Sequence, residues 1–349
     1  MKIPILITGA SGGNVGRQCM KALRLVKPPY RIIATDIGPH GVGLYEADKA
    51  YIVPMASEKN YFAKILEICQ KEKIKIIIPG SEAELLKISD NRDIFAKQGI
   101  LVLINNKDVI DICQNKWKTA DFLKSHSFKI PKYYIPKNKN DIDTSLKYPV
   151  VVKPYVNAGG SRGLYLAQNR KELAFFIDYT KKHGLFSIVQ EYVGTADEEY
   201  TVGVLHTLDG KLLGSVAMKR LVKGALSTAL MVKSYHSDEI YTISSGISQG
   251  YIDDFKEIRQ FAENLAEKLG STGPLNIQCR KTPDGIYVFE INPRFSGTSS
   301  IRALCGFNEP DALIKIHYLG VKIGPMKAKK GLILRDLENF YISETKSNK

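Results

Sequence analysis

Two sequence regimes predict a chain of mixed architecture, α/β in its first part and α+β behind. Over residues 1–115, short apolar strands alternate with amphipathic helices. That alternation predicts a parallel, doubly wound sheet with helices on both faces. From Ser187 to Asn292 strands dominate, interrupted by one long amphipathic helix, which predicts antiparallel sheets in a second region. At 349 residues the chain exceeds one ordinary core, so two or three subdomains are expected.

In the first regime, Ile3–Thr8 reads as a buried strand running into a glycine turn. Val15–Leu25 has helical spacing, and Tyr30–Thr35 is a second strand ending on Asp36. Tyr51–Val53, Lys75–Pro79 and Ile100–Ile104 supply further strands, with a helix at Tyr61–Gln70. Residues 116–195 begin with a helix around Trp117–Lys124 and a linker carrying Pro131 and Pro136. A small subdomain follows: strand Tyr148–Lys153, a glycine loop, strand Leu164–Ala167 and helix Glu172–Lys182. Residues 196–325 form a larger, strand-rich subdomain. Its helix, Asp253–Leu269, carries Phe255, Ile258, Phe261, Ala262, Leu265 and Leu269 at i, i+3, i+4 spacing. Residues 326–349 read as a basic tail in which Lys327-Ala-Lys-Lys330 is solvated. No internal repeat or low-complexity segment intervenes.

Composition narrows the function classes. Hydrophobic content of 44% and charged content of 25% are those of a globular protein. No apolar run approaches the roughly 20 residues that span a bilayer, so no membrane role is expected. The first residues are too short an apolar stretch for a signal peptide, and a cytoplasmic location is expected. Five scattered cysteines without C-x-x-C spacing fit reduced thiols better than disulfides or zinc ligands. The formal charge of +14 suits a polyanion. Its lysines are dispersed, however, and no nucleic-acid-binding motif is present, so nucleic acid is not expected as the partner.

The richest chemistry lies in Gly285-Ile-Tyr-Val-Phe-Glu-Ile-Asn-Pro-Arg-Phe-Ser-Gly297. As a strand it alternates Tyr287, Phe289 and Ile291 with Val288, Glu290 and Asn292, so Glu290 and Asn292 share a face. Both offer hard oxygens of the kind Mg²⁺ prefers, often completed by substrate phosphates. Pro293 ends the ladder and leaves Arg294 placed to meet a phosphate. Upstream, Leu275–Cys279 is a second strand with Asn276 and Gln278 on one face. A hairpin around Thr282-Pro-Asp-Gly285 would bring four oxygen-bearing side chains together. The plainer reading is a strand meeting an Asn-Pro turn.

Two glycine loops accompany this strand. Thr8-Gly-Ala-Ser-Gly-Gly-Asn-Val-Gly16 precedes a helix, and Asp36 lies twenty residues beyond it. An NAD(P)-linked oxidoreductase would use such a loop for phosphate and such an acid for ribose. The glycines do not match G-x-G-x-x-G, and the Tyr133/Lys137 pair is interrupted by Pro136, so a tight strand-to-helix turn is the competing reading. The second loop, Asn157–Gly163, follows a strand ending on Lys153. Gly159, Gly160 and Gly163 permit close backbone approach, Ser161 and Arg162 add a hydroxyl and a charge, and Lys153 can hold a phosphate. The competing reading is an ordinary hairpin loop with Lys153 solvated.

In combination these segments resemble the ATP-grasp superfamily, in particular the synthetase domains of the carbamoyl phosphate synthase large subunit and related carboxylate–amine ligases. The resemblance runs from the N-terminal sheet to about Leu319. It implies an N-terminal Rossmann-like (pre-ATP-grasp) domain and a two-part ATP-grasp fold. It also implies roles. Lys116 and Lys153 neutralise phosphates under the loop of Gly159, Gly160, Ser161 and Arg162. Glu191 lines the adenine pocket, with the backbone of Tyr192 and Val193 reading its edge, and Glu199 accepts from ribose. Gln278, Glu290 and Asn292 position Mg²⁺ (or Mn²⁺), and Arg294 stabilises the transferred phosphate. ATP is the implied cofactor, a small-molecule carboxylate and an amine are the implied substrates, and a homodimer is compatible with the family. The chain departs from the pattern in having length for one synthetase unit only. It also has Phe295-Ser-Gly297 where a second arginine often stands, which favours a single-unit ligase over carbamate chemistry. Lys219, Arg220, Lys233 and Arg302 are candidate acceptor contacts, or parts of a solvated basic face. The alternatives are the NAD(P)-linked enzyme and a nucleotide-binding regulatory protein without chemistry.

Overall fold

The computed structural model describes residues 2–27, 30–154, 163–224, 226–340 and 342. The N-terminal domain comprises β1 (Ile3–Ile7), α1 (Val15–Arg24), β2 (Tyr30–Asp36), α2 (Val42–Glu46), β3 (Lys49–Ile52), α3 (Tyr61–Lys71), β4 (Ile76–Ile78), α4 (Glu82–Ser89), α5 (Arg92–Lys97) and β5 (Leu101–Val102). All its strand pairings are parallel, in the order β3-β2-β1-β4-β5. The order reverses between β1 and β4. The loops after these two strands therefore flank the crevice at which sheets of this kind bind ligands.

Helices α6 (Lys107–Gln114) and α7 (Lys116–Ser125) lead into the small subdomain. It consists of β6 (Tyr133–Tyr134), β7 (Val150–Pro154), β8 (Tyr165–Ala167), α8 (Arg170–Lys182) and β9 (Ser187–Glu191), with the antiparallel order β6-β9-β7-β8. Leu173 and Ile177 of α8 close a core with Val150, Val152, Ala167 and Val189.

The larger subdomain follows: β10 (Glu199–His206), β11 (Leu212–Arg220), β12 (Thr228–Lys233), β13 (Ile240–Ser244), β14 (Gly250–Asp253), α9 (Lys256–Lys268), β15 (Pro274–Thr282), β16 (Gly285–Asn292), α10 (Ser299–Leu304), α11 (Glu309–His317) and β17 (Gly331–Ile333). Its main antiparallel sheet runs β16-β15-β10-β11-β14-β17, and β12–β13 forms a separate hairpin. Helix α9 starts later than its apolar spacing predicts, because Gly250–Asp253 is a strand paired with β11. Its apolar stripe packs on one sheet face with Val202, Val204, Ile277 and Cys279.

One expectation is corrected here. The predicted alternation along β16 is broken. Gln278 pairs with Glu290, but Cys279 pairs with Val288, so Phe289 is an extra residue. Val288 and Ile291 both join the core under α9 although they are three positions apart. Beyond the bulge the strand turns over, and Glu290 and Asn292 face away from that core. In the tail, Lys327, Lys329 and Lys330 are exposed as expected, and the residues that follow are anchored. β17 extends the sheet by pairing with β14, and Lys330 meets Asp253 at 2.6 Å. Arg335 Nη2 donates to the Gly297 carbonyl at 2.5 Å and to Gln18 of α1 at 3.3 Å. Phe340 lies against Arg17, with its ring centroid 5.2 Å from the guanidinium.

The first glycine loop is shaped by packing. A Cβ on Gly16 would stand 2.6 Å from the carbonyl oxygens of both Gly9 and Thr8. Asp36 is consumed by the same loop: it accepts from the backbone N–H of Ser11 at 2.7 Å and of Ile37 at 2.8 Å. We therefore expect Gly16→Ala to destabilise the protein by roughly 1–3 kcal/mol, as overpacking does. A lower urea midpoint would confirm this, and an unchanged one would refute it.

Candidate nucleotide site

The site forms on the sheet face opposite α9, where the β15–β16 hairpin meets the small subdomain and the N-terminal domain. The predicted turn at Thr282–Gly285 is present, and it sets Asn276 opposite Asn292 and Gln278 opposite Glu290. The Phe289 bulge lets one strand serve two faces, burying Val288 while presenting Glu290.

Glu290 is exposed, and its Oε2 accepts from Gln278 Nε2 at 2.6 Å. Asn292 is buried, and its Oδ1 accepts from Arg294 Nη2 at 3.1 Å. One carboxylate flanked by amide oxygens fits a hard divalent cation whose remaining ligands are phosphate oxygens and water. Among the described residues no group of three or more His, Cys, Asp or Glu side chains could hold a metal by itself. The donor set therefore suits Mg²⁺ carried with a polyphosphate, rather than a metal caged by protein. Asn276 does not join it, because its Oδ1 already accepts from Thr201 at 2.9 Å and from Arg302 at 2.5 Å.

Two lysines approach Glu290 from other elements. Lys116 opens α7 and donates to the Pro154 carbonyl at 2.6 Å. Lys153, on β7, donates to Gln190 Oε1 at 2.7 Å. Burial pushes Lys153 down to about 8, helped by the positive charge of Lys116 and opposed by Glu290. Burial likewise lowers Lys116, against the carboxylates of Glu290 and Glu82. Two desolvated cations near one carboxylate form a place where added negative charge is stabilised. Residues Gly159, Gly160, Ser161 and Arg162 lie outside the described residues.

The hinge side is organised by a buried ion cluster. Glu199 is 1% exposed. Its Oε1 accepts from Arg220 Nη1 at 2.8 Å and its Oε2 from Arg280 Nε at 3.0 Å. Arg280 also donates to the Val193 carbonyl at 3.2 Å and lies 4.5 Å from the Tyr192 ring centroid. The Tyr192 N–H goes to the Pro149 carbonyl at 3.1 Å, and Glu191 accepts the Lys147 N–H at 2.9 Å. Tyr192 and Val193 are thus linked to Glu199 through Arg280, and Glu191 is tied to Lys147. Glu199 meets them through arginines, with both its oxygens engaged. Its neighbour Glu198 faces the other way, paired with Lys219 and with the Tyr200 hydroxyl.

The proposed acceptor contacts are not gathered. Lys219 is on the α9 side with Glu198, and Lys233 is exposed and pairs with Asp238 at 3.3 Å. Arg220 is engaged through Nη1 and Nη2 by Glu199, Ser244 and backbone carbonyls. Arg302 is buried and bound to Glu309 at 3.0 Å. A Cβ on Gly203 would overlap the Arg302 guanidinium, so this arginine ties α10 and α11 to the sheet.

Two contributors escaped sequence reading. Arg280 lies two residues after Gln278 on the same face, and strand alternation alone could have found it. Glu82, the first residue of α4, pairs with Arg294 at 2.9 Å across 212 residues of sequence, which no local pattern signals.

A small lysine-bearing sheet standing over an oxygen-rich hairpin, with a parallel-sheet domain in front, defines the ATP-grasp class. The chain belongs to the ATP-grasp family: the family's model, described as ATP-grasp domain, matches residues 113–298. Residues 5–103 match the PylC-like, N-terminal domain. The carbamoyl phosphate synthase large chain of Clostridium beijerinckii is 23% identical over 287 residues, covering 80% of this chain and 25% of that one. The chain thus spans about a quarter of the length of the curated relatives it matches. Among solved structures, N5-carboxyaminoimidazole synthetase from Staphylococcus aureus complexed with ADP has a TM-score of 0.63 and 16% identity, covering 95% of this chain and 81% of that one. D-alanine–D-alanine ligase from Bacillus anthracis complexed with ATP has a TM-score of 0.58 and 15% identity, covering 92% and 97%. Both share the fold. Among the described residues no helix is long and apolar enough to cross a membrane.

Replacing Glu199 by Ala would strand two buried guanidinium groups, and loss of one partner of a buried pair costs roughly 3–5 kcal/mol. The expected result is a protein unfolding at clearly lower urea, and a midpoint equal to wild type would disprove the cluster's structural weight.

Proposed function

We propose that this chain is an ATP- and Mg²⁺-dependent ligase that converts a substrate carboxylate into an acyl phosphate, which an amine then attacks to give an amide, with ADP and phosphate released. The observation that carries this reading is the convergence of Lys116, Lys153 and Arg294, from three different elements, on the face that presents Glu290 and Asn292. Phosphoryl transfer needs positioning and cancellation of developing negative charge more than it needs a protein nucleophile. The lysines would neutralise the outer phosphates, and Arg294 would face the transferred group. Glu290 and Asn292 would hold Mg²⁺, braced by Gln278, and the bound ion would polarise the phosphate oxygens. The hinge from Glu191 to Val193, backed by Glu199 and its arginines, would seat the nucleoside, with Gly159, Gly160, Ser161 and Arg162 covering the phosphates. The segment Phe295-Ser-Gly297, which lacks the second arginine often found there, favours a carboxylate–amine ligase over carbamoyl phosphate synthesis. An NAD(P)-linked reaction is disfavoured because Asp36, its ribose contact, is committed to Ser11 and Ile37.

Mg·ADP at 100 times its dissociation constant should raise stability by about 2.7 kcal/mol. Thermal unfolding with and without EDTA reads this directly, and stabilisation by NADPH instead would reverse the assignment. Glu290→Gln should abolish ATP turnover while leaving a cooperatively folded protein. Lys153 titrates near 8 because burial disfavours its charge, and it must be protonated to attract phosphate. Mg·ADP affinity should therefore fall as pH rises through about 8, and Lys153→Arg should flatten that dependence. A profile that is level from pH 7 to 9 in the wild type would exclude Lys153 as a phosphate ligand.

A further inference from the structure

The ion pair between Glu82 and Arg294 joins two parts of the molecule with different tasks. Glu82 opens α4 directly after β4, at the point where the N-terminal sheet reverses its strand order. Such a point is where open parallel sheets receive ligands. Arg294 follows the β15–β16 hairpin and carries the charge assigned above to the transferred phosphate. Its Nη2 donates to Glu82 Oε1 at 2.9 Å and to Asn292 Oδ1 at 3.1 Å, and its Nη1 donates to the Phe295 carbonyl at 3.0 Å. Its Nε is buried with no partner among the described residues. An orphaned donor on a buried guanidinium is costly, and it marks a group held by Glu82 short of its full set of partners. The pair is within reach of a ligand, since the Glu82 side chain is 34% exposed.

Among the described residues, the other hydrogen bonds between the N-terminal domain and the larger subdomain use no residue of the nucleotide site. Tyr30 donates to Asp311 at 2.6 Å, Asn308 to the Ala22 carbonyl at 2.8 Å, and Ser300 bonds Gln18. Glu82–Arg294 differs in that one partner borders the acceptor crevice and the other borders the phosphates. A guanidinium binds phosphate best through two N–H groups presented together. With Nη2 committed to a carboxylate, Arg294 cannot offer that edge to phosphate.

We propose that Glu82 is a further positioning residue of the reaction: it competes with the γ-phosphate of ATP for Arg294, so that arrival of a triphosphate releases Glu82 into the crevice of the N-terminal domain. This rests on the ligase reading above. A diphosphate does not reach Arg294 and leaves the pair intact. Part of the binding energy of the γ-phosphate is thereby used to separate Arg294 from α4, at the side of the site that faces the acceptor. Glu82 accordingly tunes the preference of the protein between triphosphate and diphosphate.

The test is calorimetric titration of the full-length chain with Mg²⁺ and either ADP or β,γ-imido-ATP, for wild type, Glu82→Gln, Glu82→Asp, Arg294→Met and the Glu82→Gln/Arg294→Met double variant. Removing the internal competitor should tighten imido-ATP binding roughly three- to tenfold, in proportion to a partly exposed charge pair, and leave ADP affinity within twofold. The gain should vanish in the Arg294→Met background, as a cycle between coupled residues requires. Glu82→Asp, with a shorter reach, should move the same way by less. Equal changes for both nucleotides, no change for either, or a gain that survives Arg294→Met would overturn the proposal. Wild-type protein that binds neither nucleotide would instead remove the ligase reading beneath it.

Discussion

One constraint governs the candidate site: strand β16 must feed the core on one side and a charged cleft on the other. A regular strand with Val288 in the core would also bury Glu290, because side chains two apart share a face. An isolated carboxylate there would be heavily penalised. The extra residue at Phe289 resolves the conflict by turning the strand over between Val288 and Glu290. Val288 and Ile291 remain with Ile277 and Cys279 under α9, while Glu290 and Asn292 emerge toward Lys116 and Lys153. The placement of Glu290 and Asn292 on the cleft side depends on that half-turn of backbone.

The charges around the cleft fall into two kinds. Arg220, Arg280 and Arg302 are buried and meet Glu199, Glu309 or amide and carbonyl oxygens, so they hold the sheet and its flanking helices in place. Among the described residues Lys116 and Lys153 hydrogen-bond neutral oxygens, from Pro154 and Gln190, and share Glu290 as a nearby carboxylate. In a low-dielectric setting two cations near one anion leave charge uncompensated, and binding a polyphosphate would relieve it. The same distinction sets the basic residues Arg220 and Arg302 apart from the two lysines. Their charge is already answered within the fold.

Much of the architecture was legible in the residues. The parallel N-terminal sheet follows from its alternation of strand and helix, the β15–β16 hairpin from Thr282–Gly285, and the lysine strand from Val150-Val-Val-Lys153. The site was legible where spacing carries meaning, as at Gln278, Glu290, Asn292 and Arg294. It was less legible at Glu199 and its arginines, because strand alternation shows which residues share a face and does not show how far that face is buried. Period alone also gives no sign of the bulge: Val288, Glu290 and Asn292 read as one uninterrupted face. The lysines at 327, 329 and 330 are exposed as their composition suggests, but the sequence gives no sign that the short apolar run behind them finds an open sheet edge in β14.

The sequence by itself determined the succession of elements, the fold class and the residue types available for nucleotide chemistry, because strand and helix periods and turn residues act locally. Only the tertiary structure decided which of those residues meet. It joined Glu82 to Arg294 and Glu199 to Arg220 and Arg280, and it brought Arg335 to Gly297. These partners are far apart in the chain. Their pairing is settled by how sheets stack and where each charge can avoid burial alone, and no local pattern records either.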